Sequence, residues 1–116
     1  MATNSYLKVS QAHVPPERST CGFRQRLLRK EDGVPASVTR LKTDEATPHW
    51  HRHTHEYYYV LHGSGTLFID DEPVPIEDGD CVWIKPGHRH HAEGKLESLI
   101  IAIPAFDPED IFFGER

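Results

Sequence analysis

The sequence predicts an all-β protein built as a sandwich or barrel, and three observations carry that prediction. Turn-forming residues recur at short intervals: Gly63, Asp71, Gly79 and Gly87 stand eight residues apart, each beside further Gly, Pro, Asp or Ser. Chain segments of strand length between such breaks read as short strands. No window holds ten or more residues of clear helical period, and nothing alternates as strand, helix, strand. The segments themselves are rich in β-branched and aromatic residues, which half-buried strands favour. Eight or nine such strands with tight turns and no helices fit a closed or double-layered β architecture.

Taken in chain order, residues 1–20 form an N-terminal arm or added edge strand, mixing Ser, Asn and Gln with Pro15-Pro16. Residues 21–106 form the barrel domain, with strands expected at 22–29, 37–41, 49–51, 56–61, 66–70, 74–76, 81–85, 90–92 and 97–103. Residues 107–116 form a C-terminal tail. Asp107-Pro108-Glu109-Asp110 offers an N-cap residue, Pro at the first helical position and acids in the first turn, a helix-start signature for one short turn. Ile111-Phe112-Phe113 behind it is apolar enough to need a surface to lie on.

Composition narrows the function. The 116 residues amount to a single domain. With 37% hydrophobic and 27% charged residues the composition is globular, and the longest apolar runs, 57–61 and 99–103, are far short of a spanning helix. With no leader-like apolar stretch in the first 20 residues, the expected location is cytoplasmic. A net charge of −5 argues against nucleic acid, whose binding depends on neutralising phosphates. Cys21 and Cys81 lie far apart and suggest neither a disulfide scaffold nor a Cys-based zinc site.

Histidine is the residue out of proportion. There are nine, and eight of them fall between His49 and His91. On a strand, residues i and i+2 share a face, so His49 and His51 present two imidazoles to one centre. The step from His51 to Glu56 is odd, so a loop or bulge across 52–55 must reset the register. With that reset, Glu56, Tyr58 and Val60 face the same interior as the two histidines. Two imidazoles and a carboxylate form a suitable shell for a borderline divalent metal. A fourth ligand can come from the stretch 79–91, where a strand ends at the Lys85-Pro86-Gly87 turn and His90 opens the next.

These residues resemble the cupin family. His49-x-His51-x4-Glu56-x6-Gly63 matches its first motif from the first His onward, and Gly79-x5-Lys85-Pro86-Gly87-x2-His90 resembles its second. The fifteen residues between Gly63 and Gly79 match compact single-domain bacterial cupins, and the resemblance covers roughly residues 35–103. It implies a small antiparallel β-barrel, a double-stranded β-helix of jelly-roll type. It also implies one divalent transition metal per chain (Fe, Zn, Mn or Ni) held by His49, His51, Glu56 and His90. Three positions depart from the family pattern. The first motif's opening Gly is Thr43, read as a surface turn; a motif Pro is Lys85; and the closing Asn is Gly94, expected to loosen its strand end.

Other candidates weigh differently. His53 and His55 belong to the loop or the rim, His62 to a turn edge, and His91 to the opposite strand face from His90. Tyr57 and Tyr59 are packing residues, whereas Tyr58 shares the face of Glu56 and is the candidate catalytic acid or hydrogen-bond donor. One parity of strand 22–29 sends Arg24 or Arg26, rather than Gln25, into the pocket to hold a carboxylate; an exposed salt bridge is the plainer role. The shell leaves open positions on an octahedral ion. The expected function is a small metalloenzyme on a compact oxygenated metabolite, with dioxygenase chemistry ahead of isomerase or lyase chemistry. A metal-containing sugar- or acid-binding module without turnover is the alternative. The expected partners are a small-molecule substrate and a second copy in a homodimer, with neither nucleic acid nor membrane. The spare material for the dimer contact is the 5–9 segment and the aromatic tail.

Overall fold

The computed structural model describes residues 5–114; the expectations for 1–4 and 115–116 lie outside the described residues. Among the described residues nine antiparallel strands run β1 (Glu17–Ser19), β2 (Gly22–Leu28), β3 (Ser37–Thr43), β4 (His49–Trp50), β5 (His55–Ile69), β6 (Glu72–Glu77), β7 (Cys81–Ile84), β8 (His90–Ile103) and β9 (Phe112–Phe113). Two short 3₁₀ turns, Gln11–His13 and Lys30–Asp32, are the helical elements among the described residues. No described helix is long and apolar enough to cross a membrane. The all-β jelly-roll reading is borne out.

The strands group into two layers that share β5 and β8. Along one layer β1, β2 and β3 lead to the C-terminal half of β8, then the N-terminal half of β5, then β7. Along the other, β9 and β4 meet the first residue of β8, whose N-terminal half pairs with the C-terminal half of β5 and so leads to β6. The β5–β8 ladder runs from His55↔Ile103 to Ile69↔His90, with one register shift between Val60 and His62.

Here the sequence reading needs correction. Expected strands 56–61 and 66–70 are one strand, and so are 90–92 and 97–103. Gly79 and Gly87 do lie in turns, whereas Gly63 and Gly94 are bends inside continuous strands. Gly63 has φ 106°, and a Cβ there would lie 1.9 Å from the Lys95 carbonyl oxygen. Gly94 has φ 116°, and its Cβ would lie 2.7 Å from Gly65 Cα. Both need the conformation and bulk of glycine because two backbones press together where the ribbon turns from one layer into the other. Gly94 therefore does not loosen a strand end; it permits the bend.

Thr43 is a second correction. Strand β3 runs on to Thr43, with Ser37, Leu41 and Thr43 buried on its inner face. Thr43 is interior, not a surface turn. The tail gives a third. Asp110 N–H reaches the Asp107 carbonyl at 2.8 Å, closing one turn, but no helix follows. Phe112 instead pairs with Trp50 and Phe113 with His49, since pairing with the otherwise open edge of β4 satisfies more backbone than an isolated turn can. The aromatic tail thus lies on its own barrel.

Val60, Leu67, Ile76, Ile84 and Leu96 are almost fully buried and form the core with Tyr58 and Ala92. Tyr58, Leu67 and Ala92 also line a cavity beside that core. The interior is therefore part solid packing and part pocket.

Candidate metal centre

The four residues singled out by spacing come together around one point. One donor atom from each of His49, His51, Glu56 and His90 lies within 4.8 Å of every other. His49 in β4 stands opposite His90 at the start of β8, with ring centroids 4.5 Å apart. His51 follows one residue past β4, and Glu56 is the second residue of β5. Glu56 Oε1 is 2.8 Å from His90 Nε2 and 3.4 Å from His51 Nε2. Glu56 and His90 belong to opposite ends of the β5–β8 ladder, so the curl of that ribbon makes the site.

Each imidazole is oriented by a backbone carbonyl. His49 Nδ1 donates to Thr47 O at 2.9 Å, His51 Nδ1 to Asp110 O at 2.6 Å and His90 Nδ1 to His88 O at 2.9 Å. A carbonyl only accepts, so Nδ1 carries the proton and Nε2 is left with a lone pair aimed at the centre. His51 Nε2 is buried and has no hydrogen-bond partner. Converging lone pairs and a carboxylate repel one another unless a cation lies among them. The donor set thus fits a divalent metal of the zinc, iron, manganese or nickel type, and imidazole with carboxylate does not select among these.

Sequence reasoning missed the residue that organises the loop between His51 and Glu56. The Asp110 carboxylate accepts from Arg52 N–H (2.7 Å), His53 N–H (3.1 Å), Thr54 N–H (3.1 Å) and Thr54 Oγ1 (2.7 Å). Burial alone would raise the Asp110 pKa, but those donors hold it below the usual carboxylate range. The same residue's carbonyl orients His51. Asp110 thus fixes the register reset that brings Glu56 into line. Gly87 N–H assists by donating to His51 O at 2.6 Å. Asp110→Ala is expected to weaken metal binding by about 10–100-fold, the usual effect of losing an outer-shell partner. Zinc competition against a chelating indicator reads this directly; affinity equal to wild type would mean that the loop is held by other contacts.

The remaining histidines stay outside. His53 is exposed, and His55 stacks on Trp83 and accepts its indole N–H at 3.1 Å. His62 pairs with Asp78, His88 with Asp70, and His91 with Glu93 while stacking on Phe68. Tyr58 is buried and lines the cavity, its hydroxyl 3.4 Å from Thr43 Oγ1. Burial raises its pKa beyond what the neighbouring Ser98 and Thr43 hydroxyls take away, so the phenol keeps its proton. The Cys21 thiol lies 3.9 Å from His49 Nδ1 and is pushed up to about 12, by burial first and then by Glu56. Cys81 is exposed. Arg24 lines the same cavity, which has a volume of about 110 Å³.

Protons compete with a metal for the imidazole lone pairs. Burial, with the nearby His90, lowers His49 to about 4, so that ring stays neutral through mild acid. For His51 burial also favours the neutral form, but the Glu56 carboxylate 3.4 Å from its Nε2 outweighs this and raises the pKa above 6.5. Burial would raise Glu56, yet the His51 and His90 rings against its carboxylate hold it well below 4.5. Of these two rings, His51 takes up a proton at the higher pH. Metal occupancy, followed by equilibrium dialysis, is expected to fall as the pH is lowered and His51 is protonated, and to be lost by the time His49 titrates at about 4. In the metal-free protein the signs differ by residue. His51 stabilises the fold below its unfolded value and loses this as pH rises through its folded one, whereas neutral His49 costs stability as pH falls from 6.5 towards 4.

Comparison with known proteins gives a family and a fold. The family model described as "Cupin domain" matches residues 38–102, more than half of the chain. An uncharacterized protein of Aquifex aeolicus is 33% identical over 86 residues, covering 72% of this chain and 70% of that protein. The chain spans about half (53%) of a Methanocaldococcus jannaschii relative, at 32% identity. Among solved structures, a protein from Planctomyces limnophilus superposes with a TM-score of 0.87 at 28% identity, covering 93% of this chain and 96% of that one. The Streptomyces nucleoside dehydratase Pac13 gives 0.85 at 20% identity, over 96% and 92%, a likeness of fold alone.

Proposed function

The chain belongs to the cupin domain family, and from that premise we propose that it is a metal-dependent enzyme acting on a compact oxygenated metabolite. One observation carries this reading: three imidazoles, each locked by a carbonyl at Nδ1, converge with Glu56 on one side of an otherwise mostly apolar pocket. Such a pocket, small beside typical ligand sites of roughly 300–1,000 Å³, suits a compact ligand. A divalent ion held there would polarise a carbonyl oxygen or acidify water.

This chain's own residues supply acid–base capacity beside the ion. Tyr58 presents a protonated phenol to the cavity two residues beyond Glu56, on the same face. A proton donor lining the same cavity as the four metal donors would serve lyase or isomerase chemistry, in which a proton moves and no oxidant is consumed. The name of Pac13, a nucleoside dehydratase on the same fold, supports that order. Dioxygenase chemistry is the second reading, carried by the three-His, one-Glu donor set, which suits Fe(II). The test is incubation of protein loaded anaerobically with Fe(II), or with Zn(II), with hydroxy and oxo acids in D₂O. Deuterium incorporation or water loss by NMR, without oxygen uptake and strongly reduced in Tyr58→Phe, is the expected result. Oxygen consumption with oxygenated product establishes the second reading, and saturable binding without turnover establishes a binding module.

The homodimer belongs to this proposal as well. With the aromatic tail on its own barrel, the outer face of the β5–β7–β8 layer takes over as the contact. Tyr59, Leu61, Trp83 and Ile103 are all at least 40% exposed there, an apolar concentration of the kind that marks interfaces. Light scattering is expected to give about twice the 13.3 kDa chain mass, and Trp83→Glu to return it to one chain.

A further inference from the structure

The cavity lining has polar groups besides the four donors, and these have no role in holding a metal. Its apolar part comprises Leu67, Ala92, Ile100, Ala102, Phe106 and Ile111. Ser19 of β1, Thr20 in the turn after it, Arg24 of β2 and Thr39 of β3 are polar, Thr39 standing directly beside Ile100 in the β3–β8 ladder. Arg24 is the cation of that polar set. Its side chain is 28% exposed, and Nε donates to Glu17 Oε1 at 3.0 Å. Glu17 is its hydrogen-bond partner among the described residues, which leaves the outer edge of the guanidinium, with both terminal nitrogens, uncommitted. Glu17 also takes Arg26 Nε at 3.1 Å, so one carboxylate is shared between two guanidiniums and does not neutralise both.

The strand pattern explains why Arg24 and not its neighbours faces inward. Gly22 and Arg24 share one face of β2, while Phe23 and Gln25 lie on the other, where Gln25 Nε2 bonds the Val14 and Gln11 carbonyls. Pairing with Glu17 in β1 then holds Arg24 extended over the pocket. A guanidinium with a free fork, desolvated on one side and held from behind by a carboxylate, is preorganised for a planar anionic group. The metal donors add to the match, because three neutral imidazoles and one carboxylate leave a divalent ion with a net charge of about +1.

We infer that Arg24 is the anion-holding element of this pocket, and that the substrate is a compact carboxylic acid with a hydroxyl or carbonyl oxygen on the adjoining carbon. Its carboxylate sits on Arg24 and its other oxygen points toward His49, His51, Glu56 and His90. Thr20 and Thr39 line the same cavity, and its volume of about 110 Å³ limits the acid to a few carbons. This rests on the metalloenzyme reading above and narrows its substrate class. Arg24 then sets specificity, and Arg26, held by Glu17 and lying 3.6 Å from Glu31, does not.

Calorimetric titration with glycerate and with glycerol, the same skeleton without the carboxylate, tests this on zinc-loaded and metal-free protein. Glycerate is expected to bind zinc-loaded protein and glycerol to bind about tenfold more weakly or not at all. Arg24→Gln should weaken glycerate by about tenfold or more, Arg24→Lys by less, and Arg26→Gln by no more than about twofold, with zinc stoichiometry unchanged throughout. Metal-free protein should keep a weaker glycerate affinity that still depends on Arg24. If Arg24→Gln binds glycerate like wild type while metal removal abolishes binding, the ion alone holds the carboxylate; the inference then fails and the metalloenzyme reading stands. Equal affinity for glycerol, or no measurable glycerate binding, also overturns the inference. Protein that takes up no zinc overturns the metalloenzyme reading, and the metal-free titration then decides the role of Arg24 by itself.

Discussion

Single substitution of His49, His51, Glu56 or His90 by Ala is expected to reduce bound metal from about one equivalent per chain to almost none after dialysis. The loss should exceed the roughly 10–100-fold that removal of an outer-shell partner produces, because each change deletes a donor. The four donors lie within 4.8 Å of one another and all belong to residues that are buried or nearly so. His53→Ala and His55→Ala supply the control, since His53 is exposed and His55 is engaged with Trp83. Metal should also raise the melting temperature of wild type, by an amount that corresponds to about 4 kcal/mol at a thousandfold excess over Kd, and this rise should disappear in the four variants. If His53→Ala strips the ion and His49→Ala does not, the ligand register is off by two residues or more.

Gly63→Ala is expected to be the most damaging change made without touching the core side chains. At φ 106° an L-residue is strained, and the added Cβ would lie 1.9 Å from a backbone oxygen of Lys95, which cannot rotate away. Strain of this kind costs roughly 1–3 kcal/mol, and a backbone collision adds to it. Set against a total stability of roughly 5–15 kcal/mol, the variant should melt more than about ten degrees lower or fail to accumulate as folded protein. Gly79→Ala separates the two contributions. It has a similar positive φ of 85° but nothing within 4 Å of the added Cβ, so it should show the strain alone. Equal melting temperatures for the two variants would mean that the strands do not approach as closely at Gly63.

The comparison of these residues shows what a sequence discloses. His49, His51, Glu56 and His90 were legible because their placement depends on strand parity, which is local, and on one register reset that an odd spacing betrays. The inward turn of Tyr58 followed from the same parity. Local sequence makes Asp110 a first-turn helix acid, because its actual partners, the amides of residues 52–54, are distant in sequence and nothing local marks them. Thr43 was misplaced for a similar reason: nothing local says that β3 continues, and its burial is decided by the strands around it. Gly63 and Gly94 carried a true signal that was misread. A glycine within β-rich sequence marks either a break or a close backbone approach, and only the pairing of β5 with β8 distinguishes the two.

That pairing has a consequence for how the molecule holds together over time. Glu56 sits near one end of the β5–β8 ribbon and His90 at the other, yet their side-chain donors are 2.8 Å apart. An ion shared by them acts as a clasp on a bracelet: it joins two ends that the hairpin bends only bring near. Closing that ring costs chain entropy that local pairing does not repay, so the clasp is expected to form late in folding and to open early. Pulling the ends of the ribbon apart and withdrawing the ion become the same act. Slow exchange of the amides around the bends, and faster exchange near Glu56 and His90 once the ion leaves, would be its signature.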